Sequence, residues 1–364
     1  MARVVYRISL RQLRENFAAI RRAAGNCALM PVLKYDAYGM GALKIGAALK
    51  ASGAARFAAA TLDEALELQT LGLPVQTLGV LLPEEIPGMV EAGIVAPVAN
   101  LRTAELLSAE AVRRKKSVRI AVKLDTGMGR AGFLPDAAVE AVKKIVALPG
   151  LVPDSLFAHF AAASQPDELF CALQLRRYRE VYDKLRAAGI EFPYRHHAAS
   201  DGIMLVPEAV REPFNLARPG AAMYGEDFTA VCRQIVELAT VIGDIRELPK
   251  GASINYLRTF VAPRAMKVAV LTAGYADGIP LALSNRGQVL IAGKFCPIVG
   301  RVTMDYTVVD VSGVPEAAVG MEALLLGKRG DAELTVRQWG VLKQTHAHDI
   351  WCAIGHRVVR QYGD

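Results

Sequence analysis

Between about residue 28 and residue 220 one pattern recurs: a short β-branched or alanine-rich run, a polar or glycine-containing turn, then a longer stretch with helical spacing. That alternation calls for parallel βα units. The expected strands are Ala28–Leu33, Phe57–Ala60, Thr77–Leu81, Ile94–Val98, Val118–Leu124, Ser155–His159, Tyr194–Ala198 and Phe214–Arg218. Eight such units favour a closed (β/α)8 TIM barrel over an open doubly wound sheet. Between the strands, Thr61–Leu71 sets Leu62, Ala65, Leu66 and Leu68 largely on one helical face, with Thr61 as N-cap and Glu64 as its capping-box partner. Arg102–Arg114 and Pro166–Ala188 show comparable periodicity.

After about residue 235 the texture changes to closely spaced strands with Gly and Pro turns: Met266–Leu271, Gln288–Ile291, Cys296–Val299 and Tyr306–Val311. A chain of 364 residues exceeds one ordinary core, so two domains are expected. These are a barrel over 9–235 and a mostly β domain over 236–364, with Val236–Pro249 as the crossing region and the N-terminal strand 1–8 joining the later domain. Apolar residues at 52% and charged residues at 22%, with no apolar run long enough for a bilayer, point away from disorder and from a membrane protein. Residues 1–7 lack a secretory signal, so a soluble, cytoplasmic protein is expected. The five cysteines form no CxxC pair and read as buried thiols. The net charge of +7 is carried partly by Arg113–Lys116 and Arg176–Arg177 without aromatic interleaving, which reads as helix surface rather than a nucleic-acid face.

Reactive residue types gather at the strand ends: Lys34 after the first, Lys123 and Asp125 at the fifth, His159 at the sixth, His196 at the seventh, Arg218 at the eighth. In a barrel those ends share the C-terminal rim where active sites lie, and the loops after strands seven and eight often hold a phosphate. Ser200 and the turn through Gly220 and Ala221 occupy those loops, offering a hydroxyl and backbone N–H groups. Singly, each residue is an ordinary surface charge or packed histidine. Their convergence is what points to a site.

The run Pro31–Gly41, with Lys34, Tyr38 and the glycines after it, resembles the cofactor-lysine segment of the alanine racemase family, with Tyr35, Asp36 and Met40 in place of the usual Ala, Asn and His. The resemblance continues through Lys123–Arg130, Asn215–Gly225, Asn255–Phe260, Gly274–Gly278 and Gly300–Asp305. It implies a dimeric racemase dependent on pyridoxal 5'-phosphate, with active sites shared between two subunits, that interconverts L- and D-alanine and supplies D-alanine for peptidoglycan. By the same resemblance Lys34 is the Schiff-base lysine, Tyr256 the opposing acid-base group, and Tyr38, His159, Ser200, Arg218, Gly220, Ala221 and His356 surround the cofactor. Arg130, Tyr275, Met304 and Asp305 would bind substrate, and Lys123 would be a candidate for carbamylation. The C-terminal Ile354–Arg360 departs from the family, because His356 stands where a tyrosine is usual. An imidazole is shorter and lacks the phenol, which leaves serine or a broader amino-acid range as an alternative to alanine. Ala199 likewise replaces a common asparagine.

The chemistry suits these residue types. A lysine can hold the cofactor and then act as base at an α-carbon, and racemisation needs a second proton carrier on the opposite face. A guanidinium at Arg218 cannot accept a proton, so it leaves a pyridine nitrogen unprotonated and weakens the ring as an electron sink. That favours prompt return of the proton over decarboxylation or transamination. The competing readings are a barrel-type decarboxylase or D-amino-acid lyase and a non-catalytic cofactor carrier. The decarboxylase is expected to place an acidic residue at Arg218; the lyase would need a metal, for which His346 and His348 on one strand face, with Cys352 and His356, are the only candidates; the carrier would lack the second domain. No metal is expected.

Overall fold

The computed structural model describes residues 2–164, 168–226 and 229–364, which fall into two compact units. The first comprises Arg14–Ala37 and Gly41–Cys232. Its parallel strands close a ring. Ala28–Leu29 pairs with Leu216–Ala217, Phe57–Ala59 with Val75–Thr77, and Ala96–Val98, Val118–Lys123, Leu151–Phe157 and Tyr194–His196 run side by side. Single parallel bridges Val32 to Ala58, Gln76 to Val95 and Ala199 to Arg218 join the pieces. The result is an eight-stranded TIM barrel, filled by Met30, Val32, Ala58 and Leu216 on one side and Val95, Ala121 and Phe157 on another.

One strand is displaced from its expected position. The paired residues are Val75–Thr77, not Thr77–Leu81. The apolar run after Thr77 is misleading, because Val80 and Leu82 are 60% and 57% exposed and lie beyond the strand. The helix after Thr61 starts as its sequence demands: Thr61 Oγ1 accepts the Glu64 N–H at 3.4 Å in a capping box. The expected helix from Pro166 begins on residues outside those described; the described helix is Glu168–Ala187.

The second unit comprises the chain up to Leu13, Tyr38–Met40 and Arg233–Asp364. Its nine-stranded sheet is organised by Val236–Leu248, the segment expected to be a crossing region and found to be a 13-residue strand. Val236–Leu248 pairs antiparallel with Val4–Ser9, Met266–Leu271 and Glu322–Arg329. Its alternating Val236, Leu238, Thr240 and Ile242 are buried, a period-2 pattern that the flanking charges conceal. Val4–Ser9 also pairs parallel with Val359–Gly363. Arg7, Glu237, Glu322 and Arg329 form an ion-pair ring over this face. The segment around His346 and His348 is not a strand. It is the helix Ala347–Cys352 with His346 as N-cap, so the two histidines do not share a strand face, and among the described residues no His/Cys/Asp/Glu cluster suits a metal. Among the same residues no helix is long and apolar enough to cross a membrane.

Candidate functional site

Lys34 opens a short helical turn of unusual hand. Tyr35, Asp36, Ala37 and Tyr38 have φ of 52°, 51°, 53° and 58°, and Gly39 and Gly41 continue at 80° and 91°. For L-residues this left-handed region costs about 1–2 kcal/mol each, so the surroundings must impose it. They do so with hydrogen bonds: Ala37 N–H donates to Leu33 O at 2.9 Å, Gly41 N–H to Asp36 O at 2.9 Å, and Ala42 N–H to the Asp36 carboxylate at 2.6 Å. The Glu64 carboxylate accepts from Tyr35 N–H at 2.7 Å and Ala60 N–H at 2.8 Å, fastening the turn to the neighbouring loop. The outcome is an exposed Lys34 on a rigid mount.

Arg218 is the buried centre of the rim. Its Nη2 donates to Ala158 O at 2.7 Å, His197 O at 2.9 Å and His159 Nδ1 at 3.1 Å, and its Nη1 donates to His196 Nδ1. These acceptors define its setting: both imidazoles present a lone pair, so both rings are neutral. Burial drives the His159 pKa down to about 3, reinforced by Arg218, Arg130, Lys123 and Lys34, and burial holds His196 far below the ordinary range as well. Burial also lowers Arg218, yet its intrinsic basicity and its acceptors keep it a cation.

Lys123 lies 5% exposed at the end of strand Val118–Lys123, its pKa lowered to about 8 by burial first and by Arg130 and Arg218 second. Arg130 is exposed at the end of a loop built around Asp125, whose carboxylate accepts N–H bonds from Gly127 (3.0 Å), Gly129 (3.0 Å) and Arg130 (3.1 Å). Ser200 Oγ accepts from Gly220 N–H at 3.0 Å and Ala222 N–H at 3.1 Å, which leaves its own hydrogen to donate outward. Lys34, Lys123, Arg130 and Arg218 all act on His159, so one rim concentrates positive charge around neutral imidazoles. Such a donor set fits a cofactor that brings a phosphate and a phenolate and a substrate that brings a carboxylate. Lys34, Ser200 and the Gly220–Ala221 turn are the groups able to hold pyridoxal phosphate.

In the second unit, Tyr256, Tyr275 and Met304 are 71%, 46% and 53% exposed. Tyr256 lies between Asn255 (φ 56°) and Leu257 (φ 62°), and it lines an open cavity of about 550 Å³ with Met304, Asp305 and Tyr306. Arg357 clamps the neighbouring loops. It donates to Asp277 Oδ1 at 2.7 Å and Oδ2 at 2.9 Å and to Asp305 Oδ1 at 2.8 Å. Asp305 therefore sits in the site region with one oxygen already paired. The two loops meet so closely that a Cβ on Gly274 would lie 2.2 Å from Thr303 O, which requires glycine there. Tyr38 is buried among His348 and Trp351, ring centroids 5.4 and 6.4 Å away, and burial raises its phenol pKa. His356 is exposed beside Arg357.

Sequence reasoning missed Thr126, Gln174 and His197, all buried next to the rim. The available signal was a glutamine on the apolar stripe of its helix, where Cys171, Leu175, Tyr178, Val181 and Leu185 are buried.

Comparison with known proteins agrees with this geometry. Residues 8–227 match the alanine racemase N-terminal domain family and residues 235–362 the alanine racemase C-terminal domain family. An alanine racemase of Carboxydothermus hydrogenoformans is 38% identical over 365 residues, covering 98% of each chain. The solved structure of the alanine racemase from Streptomyces coelicolor A3(2) is similar with a TM-score of 0.93 and 32% identity, covering 100% of this chain and 98% of that one. That of the enzyme from D-cycloserine-producing Streptomyces lavendulae gives 0.92 and 32% over the same shares.

Proposed function

The chain belongs to the alanine racemase family and is a pyridoxal-phosphate-dependent amino-acid racemase, and on that premise we propose that Lys34 and Tyr256 exchange protons with opposite faces of the alanine α-carbon. The observation that carries this reading is the rim itself: an exposed lysine on a rigid turn, within electrostatic reach of His159 together with Lys123, Arg130 and Arg218.

Bound pyridoxal phosphate supplies the electron sink that acidifies the α-carbon. The residues do the rest. Lys34 Nζ holds the cofactor and then carries the proton on one face; Tyr256 Oη carries it on the other. Ser200, Gly220, Ala221, Tyr38 and His356 would receive the phosphate end. Arg218, a fixed cation, would be the group toward the pyridine nitrogen and could not protonate it, which would confine the reaction to proton return. Arg130, Met304 and Tyr275 would orient the substrate carboxylate, with Asp305 held by Arg357 as part of that loop. Tyr256, Tyr275 and Met304 are supplied by a second copy of the chain in a homodimer, consistent with their exposure in the single chain. The D-alanine formed serves cell-wall peptidoglycan in the cytoplasm.

Chiral chromatography of the purified holoenzyme with L- and D-forms of Ala, Ser, Lys and Glu tests the activity, and borohydride reduction followed by peptide mapping tests the lysine. Racemised alanine and a phosphopyridoxyl group on Lys34 are expected. A label on Lys123 or elsewhere overturns the assignment. His356 favours one second reading, in which serine is accepted alongside alanine, and the same panel decides it.

A further inference from the structure

Gln174 is fully buried, and every polar hydrogen and the oxygen of its amide are committed. Ala161 N–H donates to Oε1 at 3.1 Å, which fixes the other end as the NH2 group. One of its hydrogens goes to His159 O at 3.1 Å and the other to Thr126 Oγ1 at 3.2 Å. Thr126 Oγ1, which accepts from Gln174, is also hydrogen-bonded to His197 Nε2, 3.2 Å away. The His197 ring is fully buried, and the same residue's carbonyl accepts from Arg218. The helix closes on the loop in two further places: Arg177 Nη1 donates to Thr126 O at 2.9 Å, and a Cβ on Gly127 (φ 141°) would lie 2.8 Å from Phe170 Cζ.

We propose that Gln174 is a positioning residue: from the helix Glu168–Ala187 it joins the loop that ends in Arg130 to the turn after His159, and so sets the placement of Arg130 and Arg218 at the rim. It touches no reacting atom. The inference rests on the reading of Arg130 as the group that receives the substrate carboxylate. Its physical basis is that a buried amide with all its partners in place holds three backbone segments in one arrangement, and a side chain that cannot donate takes one partner from Thr126 Oγ1 and one from the His159 carbonyl.

The test uses the full-length holoenzyme, with Gln174→Met, Gln174→Glu, Thr126→Val and Arg130→Ala alone and Gln174→Met combined with Arg130→Ala. Gln174→Met and Thr126→Val should each raise KM for alanine by about tenfold or more while kcat falls far less, since a small displacement of a substrate-holding group costs up to about 100-fold. The double variant should be no worse than Arg130→Ala. Gln174→Glu turns the Thr126 hydroxyl toward the new carboxylate and so alters its bond to His197, and ring-15N-labelled histidine should show a shifted His197 Nε2 resonance. An unchanged KM in folded Gln174→Met and Thr126→Val, or full additivity with Arg130→Ala, overturns the positioning role. A normal KM in Arg130→Ala removes the reading beneath the kinetic arm. The His197 Nε2 resonance in Gln174→Glu then decides alone, and an unchanged resonance rejects the network.

Discussion

The lowered pKa of Lys123 makes this residue chemically distinct from a surface lysine. With the pKa at about 8, a useful share of the amine is unprotonated at neutral pH, and that lone pair can attack carbon dioxide, releasing a proton and converting a cation into a carbamate anion beside Arg130. The expected outcome is a carbamate carbon resonance when the protein is given 13C-bicarbonate, absent in Lys123→Ala. The sign follows from the amine: raising pH through 8 frees the nucleophile and strengthens the signal, and lowering it below 7 protonates Lys123 and weakens it. His356 offers a second residue-scale outcome. If its shorter ring leaves room for a hydroxyl, His356→Tyr should lower kcat/KM for serine relative to alanine by roughly tenfold, the scale on which pockets discriminate such small groups; an unchanged ratio removes this position from substrate choice. At this scale, the placement of Lys34 and Arg218 was legible because each follows directly on a short apolar run that forms a barrel strand. Gln174, Thr126 and His197 were not, because their roles depend on partners 48 to 71 positions apart that only the closed barrel brings together.

Among the elements, the left-handed turn Lys34–Gly39 has the clearest energetic consequence. Tyr35 has φ 52° and is 58% exposed, so its side chain gains little from packing while its Cβ meets the strain of the left-handed region. Tyr35→Gly relieves that strain against a larger loss of unfolded-state entropy, and a net gain of up to about 1 kcal/mol in unfolding free energy is expected by urea denaturation. Tyr35→Val should destabilise, because a β-branched residue is less compatible with positive φ. Equal stability of the two variants would mean the turn is not strained. Element identities were legible wherever a period and a cap agreed, as at Thr61–Glu64. They were not legible where exposure contradicted composition: Val80 and Leu82 mimic strand residues outside the strand. At Val236–Leu248 the charged second half hides a strand whose ladder to Met266–Leu271 is made by backbone groups. His346 and His348 misled for a similar reason, since alternation along a short polar run cannot distinguish a strand from a capped helix such as Ala347–Cys352.

For the whole molecule, the second unit leaves Tyr256, Leu257, Val261, Tyr275, Met304 and Tyr306 exposed, and several of these are the residues proposed to meet the substrate. Exposed apolar and aromatic side chains on this scale mark a surface that another molecule covers. A twofold dimer in which each β unit caps its partner's barrel rim would cover that surface and would bring Tyr256 to face Lys34 of the partner subunit. Complementation tests this arrangement. Lys34→Ala chains and Tyr256→Phe chains are each expected to be nearly inactive, because every site in either homodimer lacks one proton carrier. When they are dissociated and reassociated together, half the dimers are mixed if pairing is random. In a shared-site mixed dimer one site collects both defects, and the other joins an intact Lys34 to an intact Tyr256. Activity should therefore return to about a quarter of the wild-type value per active site in an equimolar mixture, the yield that symmetric exchange between two equivalent subunits allows. If Lys34 and Tyr256 of one chain served the same site, every site in the mixed dimer would retain one defect and no activity would return. Absence of recovery, with mixed dimers verified by native mass spectrometry, would reject the shared site.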